Sequence, residues 1–305
     1  MASSSTSVSG TSAPFGRNVV AMVTPFTPAG DLDLAAAQRL ATYLVDAGCD
    51  GLVVSGTTGE SPTTSDAEKE KLLRAVLEAV GDRATVLAGT GTNDTRHAIE
   101  LSRQAEKAGA HGLLVVTPYY NKPPQAGLLA HFRAVADAVG VPIMLYDIPG
   151  RTGVPIATET LIRLAEHERI VAVKDAKNDI AAATEVLVRT DLAYYSGADE
   201  WNLALLAVGA VGIVSVVGHV AAREYAAMID AVDKGDLPTA RAIERKLIPA
   251  YQAIMTRTQG AIMAKAALEL LGVLPTRAVR PPLVPATEEQ VRQLRKDLQE
   301  VGLIS

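Results

Sequence analysis

The residue best suited to nucleophilic chemistry is a lysine at the end of a short apolar run. Residues 170–173 are Ile, Val, Ala and Val, and Lys174 follows them directly. Burial disfavours the charged form of a lysine and lowers its pKa. A fall from about 10.4 toward 7 takes roughly 4 kcal/mol of differential stabilisation. A neutral Lys174 amine could form a Schiff base with a carbonyl compound. A lysine that instead pairs with an acid or extends beyond the strand has no such role.

A second lysine lies just beyond this run. Lys177 stands beside Asn178 and Asp179, in a polar segment after the apolar residues. This position predicts a hydrated surface amine. Of the two lysines, we therefore expect Lys174 to be the one with a chemical role.

Hydroxyl groups that could move protons follow other apolar runs. Tyr146 lies within such a run, and Thr57 and Tyr120 follow two more. A phenol with a pKa near 10 is a poor base alone at neutral pH, but it can act within a hydrogen-bonded relay. The three residues could form that relay, or Tyr146 could be a core tyrosine with its hydroxyl satisfied.

Two further positions could hold an anion. The Gly-Thr-Thr-Gly turn at 56–59, which contains Thr58, could present hydroxyl and N–H groups to a carboxylate, or it could be only a tight turn. Arg151 follows an apolar run and could clamp a carboxylate or form a surface ion pair. The turn does not match a phosphate-binding loop, because it lacks that motif's lysine.

The elements that must position these residues form a repeating unit. Eight apolar runs look like buried parallel strands: 19–24, 51–56, 85–91, 112–118, 142–148, 170–176, 192–198 and 211–217. Segments of helical period lie between them, and Ser65 and Thr95 are the predicted N-caps of two of these helices. Eight such units predict a (β/α)8 TIM barrel, whose chemistry lies at the carboxyl ends of the strands. A doubly wound sheet is disfavoured because no Gly-x-Gly-x-x-Gly opens the first unit.

The chain divides into three predicted regions. Residues 1–16 are mostly small and polar and predict a disordered tail. Residues 17–234 predict the catalytic barrel, and residues 235–305 predict a C-terminal helical domain. The nearly uncharged segment 201–222 is long enough for a membrane span, but its glycines favour a buried helix followed by a buried strand.

Composition excludes several classes of function. The net charge of −5 is spread along the chain, so we expect neither nucleic acid nor membrane as a partner. Cys49 is the only cysteine, which rules out an intrachain disulfide and favours a reducing cytoplasm. The five histidines form no close pair of the kind that binds zinc.

Five motifs together resemble the dihydrodipicolinate synthase family of pyruvate-dependent class I aldolases. They are GTTGES (56–61), VTPYYNKP (116–123), LYDIPGRTG (145–153), VAVKDA (171–176) and YYSGAD (194–199), in the family's order. The resemblance covers residues 17–300. It implies a TIM barrel with a C-terminal helical domain, a homotetramer of two tight dimers, and a reaction that needs no metal or organic cofactor.

The resemblance also implies roles for individual residues. The catalytic positions are Lys174, which forms the Schiff base with pyruvate, Tyr146, Thr57, and Tyr120 from the neighbouring subunit. The substrate-binding positions are Thr58 for the pyruvate carboxylate, Arg151 for aspartate 4-semialdehyde, and main-chain groups of Gly197 and Val214. Departures from the family are mild here: Asp147 replaces a frequent Asn, and Val214 replaces a frequent Ile.

The rival interpretations are sister enzymes and an inactive barrel. N-acetylneuraminate lyase and keto-deoxy-sugar-acid aldolases share the lysine and tyrosine, but usually lack the Thr-Thr pair, the paired tyrosines and the arginine in combination. A catalytically inactive regulatory barrel is disfavoured by the intact lysine, tyrosine and threonine positions.

Feedback inhibition by lysine is expected to be weak or absent. Ser61, Asn93 and Tyr119 match the family's inhibitory lysine site at the tight dimer interface. Four other positions differ, since alanine, two histidines and a glutamate usually stand where this chain has Pro62, Asp66, Lys69 and His97. The lost glutamate and the added lysine remove negative charge that would hold the ligand's ammonium groups.

Overall fold

The computed structural model, which describes residues 12–304, is a closed barrel of eight parallel strands in chain order. The strands are β1 (Asn18–Ala21), β2 (Gly51–Val54), β3 (Thr85–Gly89), β4 (Gly112–Val116), β5 (Ile143–Asp147), β6 (Ile170–Asp175), β7 (Ala193–Ser196) and β8 (Gly212–Ser215). Each coincides with one of the eight predicted runs, and only β1 begins outside its run, one residue earlier at Asn18. The predicted TIM barrel is confirmed, and the doubly wound sheet is wrong.

Helices surround the barrel. They are α1 (Leu34–Asp46), α2 (Asp66–Val80), α3 (Thr95–Ala108), α4 (Gln125–Asp137), α5 (Pro149–Thr152), α6 (Thr158–Ala165), α7 (Ile180–Arg189), α8 (Asn202–Ala207) and α9 (Gly218–Asp233). Ser65 caps α2 in a capping box with Glu68, as its position predicts. The prediction for Thr95 is wrong, because Asp94 caps α3 and the Thr95 hydroxyl lies 2.9 Å from His131 Nδ1.

The amino-terminal end of the barrel is closed by Phe15. Its ring is fully buried against the strand starts, where a Cβ atom at Gly112 would overlap the ring and one at Gly51 would overlap the Phe15 carbonyl oxygen. The Tyr195 hydroxyl donates to the Gly16 carbonyl at 2.8 Å. Packed structure therefore begins before residue 17, the predicted boundary. Residues 1–11 of the predicted tail lie outside the described residues.

The C-terminal region is helical, with α10 (Leu237–Tyr251), α11 (Gly260–Leu270) and α12 (Glu288–Glu300), and a π-helical turn at Gln252–Thr256. Segment 201–222 contains α8 and β8, as its glycines predict. Within residues 12–304, the helices are too short or too polar to cross a bilayer.

Candidate active site

Lys174 points into the barrel near the carboxyl end of β6. It pairs in register with Tyr146 on β5 and Tyr195 on β7. Successive side chains of a strand face opposite sides, so Ala172 and Lys174 face inward while Val173 packs against the helices. Only 4% of Lys174 is exposed. The barrel thus places the predicted lysine in the apolar interior that its chemistry requires.

Burial controls the protonation of Lys174. Desolvation lowers the pKa of its amine to about 7, nearby Asp199 opposes this, and the positive charge of Arg151 adds to it. The amine therefore has a large neutral fraction near pH 7. Nζ lies 4.1 Å from the ring centroid of Tyr146. Burial raises the pKa of the Tyr146 phenol, so this hydroxyl keeps its proton at neutral pH.

A cavity of about 300 Å³ opens beside Tyr146, and Lys174 is not among the residues that line it. Four of the predicted site residues line it: Thr57, Tyr120, Tyr146 and Arg151. Thr58, Gly197 and Val214 are placed elsewhere, with Thr58 buried in its turn and Val214 in the inner core of the barrel beside Tyr146. A larger groove of about 710 Å³ between α1 and α9 contains none of the predicted site residues.

Tyr120 lies apart from the buried hydroxyl groups of its own chain. Tyr120 is 88% exposed, and its backbone φ of 73° lies in the left-handed region. In residues 12–304, no hydrogen bond joins the hydroxyl groups of Tyr146, Thr57 and Tyr120. A single chain therefore does not hold the predicted relay in its connected form.

Gly197 leaves the space that the Lys174 side chain occupies. A Cβ atom at residue 197 would lie 2.7 Å from Lys174 Cγ and 2.9 Å from Cε. The Gly197 N–H also donates to the Asp175 carbonyl at 2.7 Å, which fixes the backbone at the end of β7.

We predict that Gly197→Ala displaces the Lys174 amine and lowers kcat about 100-fold, because a shift of about 1 Å in a reacting group costs that much. Steady-state kinetics, with circular dichroism to check folding, would measure this. Gly150→Ala is the matched control, since a Cβ atom there meets open space. Equal activity in the two variants would contradict this role of Gly197.

The prediction of a hydrated surface amine at Lys177 is wrong. Its side chain is only 12% exposed, not hydrated, and its Nζ lies 3.5 Å from Asp147 Oδ2. Its backbone N–H donates to Asp175 Oδ1 at 2.6 Å. Burial raises the pKa of Asp147 to about 6, and Lys177 opposes that shift. One signal was available: the acids that directly follow the inward-facing Tyr146 and Lys174 must face outward into the packed layer, where a buried carboxylate needs hydrogen-bond donors or a cation such as Lys177.

Asp199 is a second residue that motif analysis left without a role. It is buried and accepts hydrogen bonds from the Ser215 hydroxyl and from the backbone N–H groups of Val216 and Val217, the latter two at 3.0 Å. It therefore joins the end of β7 to the turn after β8. Its negative charge also raises the pKa of Lys174 and limits the effect of burial.

Comparison with known proteins agrees with this geometry. The model of the dihydrodipicolinate synthetase family matches residues 14–301. A 4-hydroxy-tetrahydrodipicolinate synthase from Kineococcus radiotolerans is 70% identical over 290 residues, covering 95% of this chain and 94% of the relative. A synthase of the same name from Acidothermus cellulolyticus is 68% identical, with the same coverage of both chains.

Solved structures of dihydrodipicolinate synthases have the same fold as this chain. A dihydrodipicolinate synthase from Bacillus anthracis superposes with a TM-score of 0.90 at 42% identity, covering 93% of this chain and 98% of its own. A structure from Cyanidioschyzon merolae, which contains bound lysine, has a TM-score of 0.92 at 42% identity and covers 95% and 99% of the two chains.

Proposed function

The chain belongs to the dihydrodipicolinate synthetase family and has the lyase activity of the 4-hydroxy-tetrahydrodipicolinate synthases, and on this premise we propose that Lys174 carries the reaction as a Schiff base with pyruvate. One observation supports this assignment most strongly. Lys174 is buried, its pKa is lowered to about 7, and its Nζ lies 4.1 Å from the Tyr146 ring centroid. The family and the names of these relatives disfavour the sister aldolases and the inactive barrel.

The proposed reaction begins when the neutral Lys174 amine attacks the ketone carbon of pyruvate. The resulting carbinolamine loses water to give an iminium, and Tyr146 supplies a proton to the departing hydroxyl group. Loss of a methyl proton then gives an enamine, whose carbon attacks the aldehyde of aspartate 4-semialdehyde. Finally, the amine of that substrate attacks the iminium carbon, closes the ring and releases Lys174.

The remaining residues bind the two carboxylates. We assign the pyruvate carboxylate to the hydroxyl and backbone groups of Thr57 and Thr58, with the main chain at Gly197 and Val214 below it. Arg151 lines the open side of the cavity and its guanidinium suits the carboxylate of the second substrate. We also propose a cytoplasmic location, since Cys49 is the only cysteine and the chain therefore has no intrachain disulfide of the kind found in secreted proteins.

We propose that the protein is a homotetramer in which Tyr120 acts in the site of the neighbouring subunit. The exposure of this aromatic ring on a single chain supports the proposal, because a large exposed aromatic residue at a cavity mouth suits a subunit contact. Its role would be to complete the relay with Tyr146 and Thr57.

Co-expression of Lys174→Ala and Tyr120→Phe subunits tests this arrangement. Each variant alone should have little activity. A mixed dimer holds one complete site if Tyr120 acts in trans, so mixtures should regain up to about a quarter of wild-type activity. Activity no higher than that of the separate variants would show that Tyr120 does not act across an interface.

Lysine should inhibit the enzyme only weakly or not at all. Asp66 is the one acid among the four differing positions, and its carboxylate already contacts His97 Nε2 at 2.9 Å and Lys69 Nζ at 3.8 Å, so it is not free to hold the ligand's ammonium groups. We predict half-inhibition in the millimolar range or above in a purified-enzyme assay. The combined variant Pro62→Ala, Asp66→His, Lys69→His and His97→Glu should gain sensitivity. Sub-millimolar inhibition of the wild-type enzyme would contradict the prediction.

A further inference from the structure

The turn that carries Thr57 and Thr58 is held in a costly conformation. Ser55 before it and Glu60 after it both have a φ of 55°, in the left-handed region. Residues other than glycine stay in this region only when their surroundings hold them there. Within the turn, the Glu60 N–H donates to the Thr57 carbonyl at 3.1 Å, and the Thr24 hydroxyl donates to the Gly59 carbonyl at 2.6 Å.

Contacts with residues far away in sequence stabilise this conformation of the turn. The Glu60 side chain is 1% exposed, and its carboxylate accepts a hydrogen bond from Lys265 Nζ at 2.5 Å and from the Arg280 backbone N–H at 2.9 Å. The Lys265 side chain is also 1% exposed, and it donates to the Ala278 carbonyl at 2.8 Å. Charges this deeply buried persist only when they are paired and hydrogen-bonded.

Arg280 extends the same contact to neighbouring loops. Its guanidinium donates to the carbonyls of Gly30 and Thr63, each at 2.8 Å, and to the Glu68 carboxylate at 2.5 Å. The guanidinium carbon lies 4.3 Å from the ring centroid of Phe26, and Lys265 Nζ lies 4.2 Å from the same centroid. Residues from α11 and from the segment after it therefore enclose the loops that follow β1 and β2.

We propose that Lys265 and Arg280 are positioning residues for pyruvate: by holding Glu60, they keep the Thr57–Thr58 turn in the conformation that binds the pyruvate carboxylate. The inference rests on the proposed role of Thr58 and adds to it a function for the C-terminal helices. Loss of the contact leaves a buried carboxylate without its cation, so the turn must move. Lys174 and Tyr146 lie on other strands and keep their geometry. The change in half-saturation therefore comes from pyruvate binding, and because Thr57 moves with the turn, kcat falls as well.

Borohydride trapping over a range of pyruvate concentrations tests this in the full-length protein. For Lys265→Met, we expect the half-saturating pyruvate concentration to rise at least about 10-fold, with little change in maximal trapping, because Lys174 stays in place. Glu60→Gln keeps the volume and one acceptor, and the Lys265 amine can then lose its proton because burial lowers its pKa. This variant should therefore fold even if Lys265→Met does not, and should shift the value about 3-fold. Arg277→Met is the matched control, since Arg277 pairs with Glu269 and Glu288 in the same region and does not contact the turn.

The outcomes separate this inference from the proposed function. If Thr58→Val raises the half-saturating concentration while Glu60→Gln and any folded Lys265→Met leave it unchanged, the positioning role is wrong and the carboxylate site stands. If Thr58→Val leaves it unchanged, the proposed carboxylate site itself is wrong. Equal shifts of the half-saturating concentration in Arg277→Met and Lys265→Met would show that the contact contributes only to general stability, and would overturn the inference.

Discussion

Replacing Lys174 by methionine is expected to lower kcat by roughly 10⁴-fold or more, which corresponds to at least about 5 kcal/mol of transition-state stabilisation. Methionine keeps the unbranched stem but has no amine to attack pyruvate. Neither Lys177 nor Lys265 can replace it, because Lys177 Nζ lies behind the strands against Asp147 and Lys265 Nζ is bound to Glu60. Steady-state kinetics of the purified variant would measure the loss.

The same variant should be more stable than the wild-type protein. Burial lowers the folded-state pKa of Lys174 from 10.5 to about 7. Between these values the unfolded chain binds a proton that the native protein does not, so this group's contribution to stability falls as pH falls from 10.5 to 7. Lys174→Met removes that penalty, about 3 kcal/mol at pH 8, and its advantage should shrink toward pH 10.5. Denaturant unfolding at both pH values would measure it. An inactive variant without this gain would indicate that Lys174 is not a desolvated amine in the native state.

Replacing Tyr146 by phenylalanine is expected to lower kcat about 10³-fold, within the usual range for a general acid or base. The phenol is buried, and burial raises its pKa, so it holds the proton that the carbinolamine hydroxyl needs in order to leave. The ring itself remains against Lys174 in the variant, so the effect isolates the hydroxyl group. Rapid-mixing measurements should show directly that Schiff-base formation with pyruvate is slower in Tyr146→Phe than in the wild-type enzyme.

Tyr195→Phe is the matched control for that experiment. Tyr195 lies on the strand next to Lys174 and also faces inward, but its hydroxyl donates to the Gly16 carbonyl at the opposite end of the barrel. Its loss should cost about 1 kcal/mol of folding stability and leave kcat unchanged. If the two variants lost activity equally, the effect would come from barrel packing and the proton-transfer role of Tyr146 would be wrong.

The barrel and the inner lysine were readable from the sequence because both depend on local patterns. Each strand is a buried apolar run, and parallel strands with helices on their outer side are apolar on both faces. Inward and outward residues alternate along a strand, so a lysine at the end of such a run faces either the barrel interior or the surrounding helices.

The errors arose where a distant residue sets the environment. Lys177 looks like a loop lysine until β5 places Asp147 beside it, thirty residues earlier in the chain. The contact between Glu60 and Lys265 joins residues 205 positions apart, and neither local segment indicates it. The wrong prediction for Thr95 has a local cause instead, because Asp94, one position earlier, accepts the Arg96 N–H that the first turn leaves unpaired.

The most direct test of the central claim is borohydride reduction of the enzyme in the presence of pyruvate, followed by peptide mass spectrometry. The structure predicts one covalent adduct, on the peptide that contains residues 170–177, with the modification on Lys174. The adduct should be absent from Lys174→Met and present in Lys177→Met. No adduct in the wild-type protein, or an adduct only on Lys177, would contradict the assignment of Lys174 as the Schiff-base residue.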